Sequence, residues 1–208
     1  MKISASFLSS KNIAKTLTIL NDTDVDFIHV DIMDGKFVKN KTMPYREMKN
    51  IYKFTNKRLD VHLMVKDPRK YIKEYANLNT EYITIHSEIM DKIEDNLKLI
   101  KSYGIKCGIA INPDTEIKTI VPYLPLVDLI TVMSVVPGKG GQEYIKETTN
   151  KLKELKVLLK EYKSKALIEV DGGINDTTKK LCNNADILVA GYYIVSSDNY
   201  QEKITSLR

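Results

Sequence analysis

The stretch Phe27-Ile28-His29-Val30-Asp31-Ile32-Met33-Asp34-Gly35 contains the pattern on which the fold depends. Its first six residues form a short, mainly apolar run that includes the β-branched Ile28, Val30 and Ile32, as expected of a strand covered on both faces. His29 and Asp31 interrupt the run at i and i+2, a spacing that puts both side chains on one face of a strand. Asp34-Gly35 then supplies a turn signal. Similar runs recur along the chain at residues 3–7, 59–64, 82–86, 107–111, 129–133, 166–170 and 187–190. Helix-periodic stretches lie between them. Residues 11–20 follow Ser9-Ser10, Asp67-Pro68 opens 69–76, and 91–103 stops at Gly104. Residues 151–162 carry Leu152, Leu155, Leu158, Leu159 and Tyr162 on one helical stripe with lysines opposite, which reads as outer-helix packing. Eight strand-helix units in 208 residues come to 26 residues each. Regular alternation of this kind requires a parallel sheet, and eight units predict a closed (β/α)8 TIM barrel. No Gly/Ser/Pro-rich linker divides the pattern, so residues 1–208 read as a single domain.

Composition narrows the function. The net charge of +5 comes from 32 Lys+Arg against 27 Asp+Glu, with no block of like charges. That pattern describes a lysine-rich solvated surface rather than a nucleic-acid face. With no Trp and four Phe, base-stacking platforms are not expected. A modest positive field suits an anionic small substrate. Cys107 and Cys182 are the two cysteines and form no motif, which predicts a reducing compartment. The first residues lack a secretory apolar core, and no apolar run reaches the roughly 20 residues of a membrane span. A cytoplasmic protein without membrane or nucleic-acid partners is the expectation.

In a TIM barrel, chemistry sits at the C-terminal ends of the strands. All three histidines, His29, His62 and His86, fall in or at the end of predicted strands, and Asp171 ends the seventh. A lone histidine in such a run is more often a hydrogen-bonded core residue than a ligand. Asp31 and Asp171 are harder to explain that way, because an unpaired carboxylate among apolar residues costs several kcal/mol. Two His and two Asp converging on the barrel axis suit one divalent transition metal ion, zinc first, with iron, manganese or cobalt as alternatives. Gly138, Gly140, Gly141, Gly172, Gly173 and Gly191 cluster after strands six, seven and eight. Backbone amides there form anion nests, and phosphate sites recur at these loops.

These residues resemble the ribulose-phosphate 3-epimerase family over essentially the whole chain. The resemblance is carried by Ser6-Phe7-Leu8-Ser9, by His29-Val30-Asp31-Ile32-Met33-Asp34-Gly35-Lys36-Phe37-Val38 and by Leu59-Asp60-Val61-His62-Leu63-Met64-Val65. Further matches are Ile109-Ala110-Ile111-Asn112-Pro113, the segment from Val132 to Gln142, and Glu169-Val170-Asp171-Gly172-Gly173. The resemblance implies His29, Asp31, His62 and Asp171 as metal ligands, with Asp31 and Asp171 also the acid/base pair. It implies Ser6 and His62 as substrate contacts, the loop from Gly138 to Gly141 with Gly172, Gly173 and Gly191 as the phosphate cradle, and Met33, Met64 and Met133 as a cap over the reacting carbon. The implied activity is metal-dependent 3-epimerisation of a ketose phosphate: D-ribulose 5-phosphate and D-xylulose 5-phosphate, in the pentose phosphate pathway, by a homo-oligomer. His86 also has a counterpart in the family but is left outside the ligand set.

Two departures lie at the phosphate end. The family's usual Asn-Pro-Gly-Phe-Gly-Gly reads Val136-Pro137-Gly138-Lys139-Gly140-Gly141, and Gly191 is followed by Tyr192 where the family usually has serine. Lys139 adds a cation, and Tyr192 keeps a hydroxyl on a larger ring. They leave the reaction type alone and open two alternatives: a six-carbon substrate, as in allulose-6-phosphate 3-epimerases, or a non-catalytic sugar-phosphate-binding barrel. An aldolase or decarboxylase is disfavoured, since the inner strand ends carry His and Asp.

Overall fold

Each predicted strand forms in the computed structural model, which describes residues 1–89 and 91–208. The strands are β1 (Lys2–Ser6), β2 (Phe27–Met33), β3 (Arg58–Met64), β4 (Thr80–His86), β5 (Lys106–Ile111), β6 (Leu129–Met133), β7 (Leu167–Asp171) and β8 (Ile187–Ala190). They pair in parallel in chain order, and β1 pairs with β8 to close the barrel. Closure leaves no strand edge exposed.

The strands alternate more strictly than their sequence suggests. Ile28, Val30 and Ile32 of β2 belong to the large apolar cluster that also holds Leu17 and Leu20 of α1 (Ile13–Asn21). This cluster is the interface between barrel wall and surrounding helices. Inside the barrel, Phe27, Tyr82, Leu129 and Ile187 form a separate apolar cluster, with the Phe27 and Tyr82 rings edge to face at 5.6 Å. Above this floor the interior turns polar. Ser4, Asp60, Thr84, Thr131 and Glu169 are all buried, where barrels of this kind ordinarily carry branched aliphatic side chains.

The helices are less regular than the eight-unit pattern predicts. The other α-helices are α2 (Tyr45–Met48), α3 (Arg69–Tyr75), α4 (Ile93–Ser102), α5 (Thr148–Glu161), α6 (Tyr192–Val195) and α7 (Tyr200–Leu207). Between β5 and β6, and again between β7 and β8, the connection holds only a 3-10 helix, Ile117–Tyr123 and Thr178–Leu181. Pro122 inside the first has no amide hydrogen to extend a helix. Gly104 ends α4 as expected: its φ of 72° is left-handed and its amide donates to Lys101 O. The α5 stripe packs through Leu152, Leu155 and Leu159, whereas Tyr162 lies beyond the helix end and is 52% exposed. Among the described residues, no helix is long and apolar enough to cross a membrane.

These contacts predict opposite outcomes for two truncations on one helix. Leu155→Ala removes a fully buried side chain and should lower unfolding stability by about 2–5 kcal/mol in a urea titration. Val157→Ala acts on an exposed residue and should shift it by less than about 0.5 kcal/mol.

Candidate active site

Strand register assembles the polar centre. Asp31 on β2 lies beside His62 on β3, Ser6 on β1 beside His29, and Asp171 on β7 beside Met133 on β6. His29 Nε2 stands 3.4 Å from Asp31 Oδ1 and 3.6 Å from Asp171 Oδ2. His62 Nδ1 stands 3.4 Å from each of the same two oxygens. One donor atom from each of the four residues falls within 4.8 Å of all the others. The imidazoles are wholly buried, whereas the Asp31 and Asp171 side chains are 8% and 16% exposed, so the carboxylates face the opening and the histidines lie behind them. Neither His29 Nε2 nor His62 Nδ1 has a hydrogen-bond partner. Two unpartnered imidazole nitrogens aimed at two carboxylate oxygens match the donor set of a divalent transition metal ion.

The surrounding shell orients these groups. His29 Nδ1–H donates to Asp60 Oδ2 at 2.8 Å, and the same oxygen accepts from Ser4 Oγ at 2.7 Å. This turns Nε2 of His29 toward the centre. Ser6 Oγ donates to Asp31 Oδ2 at 2.9 Å, leaving Oδ1 to the histidines. Electrostatics follow from the crowding. Burial by itself disfavours the charged form of His29, but the Asp31 and Asp60 carboxylates outweigh it and raise its pKa well above the ordinary value. Burial is likewise overcome at His62 by Asp171 and Asp31, which raise its pKa. Burial would also push the Asp31 carboxyl up, yet the two imidazoles hold it below the usual carboxylate range.

A cleft of about 560 Å³ opens above this centre. Met33, Met64 and Met133 line its inner end. Its far end is walled by the loops after β6, β7 and β8, which bring Gly138, Lys139, Gly140, Gly141, Gly172, Gly173, Gly191 and Tyr192 to one side of the cavity. Gly173 has φ of 65°, and a Cβ there would lie 2.4 Å from the backbone nitrogen of Tyr144. Only glycine lets those two loops approach so closely. Gln142 Nε2 staples the β6 loop by donating to Val136 O and Lys139 O, each at 2.7 Å. Tyr192 begins α6 and is 61% exposed, with its ring beside Gly141.

Of the site residues expected from the sequence, all but His29 and His62 line one cavity, and those two stand behind Asp31 and Asp171 at its floor. Several others were passed over. Asp60 and Glu169 each sit two residues before a singled-out residue, His62 and Asp171, on the same strand face. That i, i+2 spacing is the signal that drew attention to His29 and Asp31, and it marks Asp60 equally. Glu88 stands at the same i, i+2 spacing from His86, but in the 3-10 turn that follows β4 rather than on the strand face. Lys146 also lines the cleft, a placement set by the course of the β6 loop.

Residues 2–195 match the model of the ribulose-phosphate 3 epimerase family. A ribulose-phosphate 3-epimerase from Helicobacter pylori is 38% identical over 210 residues, covering 100% of this chain and 97% of that protein. Another from Synechocystis is 35% identical over 212 residues, covering 99% and 92%. Among solved structures, a 3-hexulose-6-phosphate synthase from Salmonella typhimurium superposes with a TM-score of 0.72 at 18% identity, covering 100% of this chain and 96% of the other. KGPDC from Streptococcus mutans does so with 0.72 at 14%, covering 99% and 94%. At these identities the two structures share the fold alone.

The raised histidine pKa values make proton release part of metal uptake, because a ligating imidazole must be neutral. Apparent Zn²⁺ affinity should therefore keep rising as pH increases past the ordinary histidine value of about 6.5. Calorimetry in buffers of different ionisation enthalpy should detect the released protons at pH 7. Affinity that is flat above pH 6.5, with no proton release, would show that both imidazoles are already neutral there.

Proposed function

As the chain belongs to the ribulose-phosphate 3-epimerase family and is an isomerase, we propose that it interconverts D-ribulose 5-phosphate and D-xylulose 5-phosphate by proton transfer between two carboxylates. The observation that carries this reading is the placement of Asp31 and Asp171, on strands from opposite parts of the barrel, around a single centre at the cleft floor. Inverting a carbon beside a ketone requires a base on one face and an acid on the other. Asp31 takes the C3 proton, and the electron pair left behind moves toward C2 to form an enediolate. Asp171, entering the step protonated, returns a proton to C3 from the opposite face. The reverse reaction exchanges the roles.

Other residues hold this geometry. Ser6, bonded to Asp31 Oδ2, keeps that carboxylate in place and reaches the substrate alongside His62. A divalent ion held by His29, Asp31, His62 and Asp171, zinc first and iron, manganese or cobalt otherwise, would act as a Lewis acid toward the negative charge developing on the enediolate. Met33, Met64 and Met133, each at most 5% exposed, exclude water from the reacting carbon. Free amides of the Gly138–Gly141 loop, with Gly172, Gly173 and Gly191, receive the phosphate, and Lys139 and Tyr192 flank it. The same reading takes residues 1–208 as one barrel domain acting in the cytoplasm, in the pentose phosphate pathway.

The test offers ribulose 5-phosphate and allulose 6-phosphate in parallel to metal-replete protein. Epimerisation of the five-carbon sugar in clear preference is expected. Preference for the six-carbon sugar would transfer the activity to that substrate, and inactivity toward both by metal-bound protein would leave a binding barrel. Asp31→Asn and Asp171→Asn should each cut epimerisation by at least ~10³-fold, and Asp31→Asn should abolish exchange of the ribulose 5-phosphate C3 proton with solvent. Retained exchange in Asp31→Asn would remove that residue as the base.

A further inference from the structure

Behind His62, away from the cleft, two further side chains continue the line. His62 Nε2 lies 2.9 Å from His86 Nε2, with the rings stacked at 5.0 Å. His86 Nδ1 in turn lies 2.9 Å from Glu88 Oε2. Glu88 sits in the 3-10 turn Ser87–Ile89 directly after β4. Its other oxygen, Oε1, accepts the backbone amide of Asn112 at 2.8 Å and the hydroxyl of Thr115. The loop bearing those donors is clasped from α5 by Lys151, whose Nζ donates to the carbonyls of Asn112, Pro113 and Thr115 at 2.9, 2.7 and 2.6 Å. Phe37 covers His86, with ring centroids 4.7 Å apart.

The polarity of this chain of contacts runs one way. An ionised carboxylate only accepts hydrogen bonds, so Glu88 requires the hydrogen of His86 on Nδ1. Nε2 of a neutral His86 is then an acceptor, which requires the hydrogen of His62 on its own Nε2. That leaves Nδ1 of His62, which faces Asp31 Oδ1 and Asp171 Oδ2, as the nitrogen a cation would meet. We propose that Glu88 is a positioning residue: through His86 it fixes the tautomer and ring orientation of His62, and so sets how tightly the centre holds a divalent cation. The inference rests on the reading of that centre as a metal site.

Glu88→Gln tests it with little change of size. The two loop donors, Asn112 N–H and Thr115 O–H, would claim the amide oxygen, so the NH₂ would point at His86. That reverses the relay: His86 accepts at Nδ1 and donates from Nε2, and the hydrogen of His62 moves to Nδ1, onto the nitrogen meant for the cation. The chain has three histidines, so ¹⁵N-histidine NMR of the Zn²⁺-loaded protein can assign all of them. Wild-type protein should show His86 protonated on Nδ1 and His62 on Nε2. Glu88→Gln should bind Co²⁺ about 10–100-fold more weakly, with an altered visible absorption of the bound Co²⁺ and a little-changed melting temperature. Thr115→Val, which leaves Glu88 on His86, should keep wild-type Co²⁺ affinity.

Wild-type His86 protonated on Nε2, or wild-type Co²⁺ affinity and spectrum in Glu88→Gln, would overturn the relay. If Glu88→Gln does not fold, the wild-type tautomers alone decide. Wild-type protein that takes up neither Zn²⁺ nor Co²⁺ would instead overturn the metal reading on which the relay rests.

Discussion

A carboxylate enclosed by a β-barrel cannot stand alone, and most of the inner architecture follows from that constraint. Removing one partner of a buried ion pair costs on the order of 3–5 kcal/mol, because the remaining charge stays desolvated. Here Asp60 Oδ2 accepts from His29 and Ser4, Asp31 Oδ2 accepts from Ser6 while its Oδ1 faces the two imidazoles, and Glu169 Oε1 accepts from Thr131; among the described residues, Asp60 Oδ1 and Glu169 Oε2 have no hydrogen-bond partner. Burial and the neighbouring Asp60 charge raise the Glu169 pKa well above the usual carboxyl value, which disfavours two full negative charges side by side in the mid-barrel layer. The apolar floor beneath and the aliphatic outer faces of the strands supply the stability that this polar column does not.

The column and the cleft divide the work between rigid and adaptable parts. The carboxylates proposed to move protons, Asp31 and Asp171, project from strands, where register and neighbouring hydrogen bonds constrain them. The proposed phosphate end is built from loops, where Gly173 allows close approach and which carry Lys139 and Tyr192. On the proposed mechanism, catalytic precision would come from the barrel wall and substrate range from the loops at its mouth. His29 Nε2 and His62 Nδ1, the nitrogens proposed to hold the metal, lie between the two, buried behind the carboxylates, with Asp60 and His86 at their rear.

The barrel was legible because its signal is local. Eight runs rich in Ile, Val and Leu, separated by turn residues, specify parallel strands whatever surrounds them, and each strand lies within a residue or two of its expected bounds. The helices were less legible, since the connections after β5 and β7 shorten to 3-10 turns where proline and local side-chain bonding compete with α-helix. His29, His62, Asp31 and Asp171 stood out as polar residues in strands that otherwise read as apolar. Asp60 carried the same mark and was missed, because one carboxylate beside one histidine reads equally well as an isolated pair.

What the sequence determined by itself is the alternation of strand and helix, the inward face of β2, and the types of donor available, since all three depend on residues a few positions apart. Only the closed tertiary structure decided which donors meet. Asp31 and Asp171 are 140 residues apart in the chain, and the pairing of β1 with β8 brings their strands around one axis. The contact of Glu88 with His86, and of His86 with His62, likewise depends on how β3 and β4 pair and where β4 ends. Those relations arise from barrel closure, which couples every strand to its neighbours and has no counterpart in any local pattern of residues.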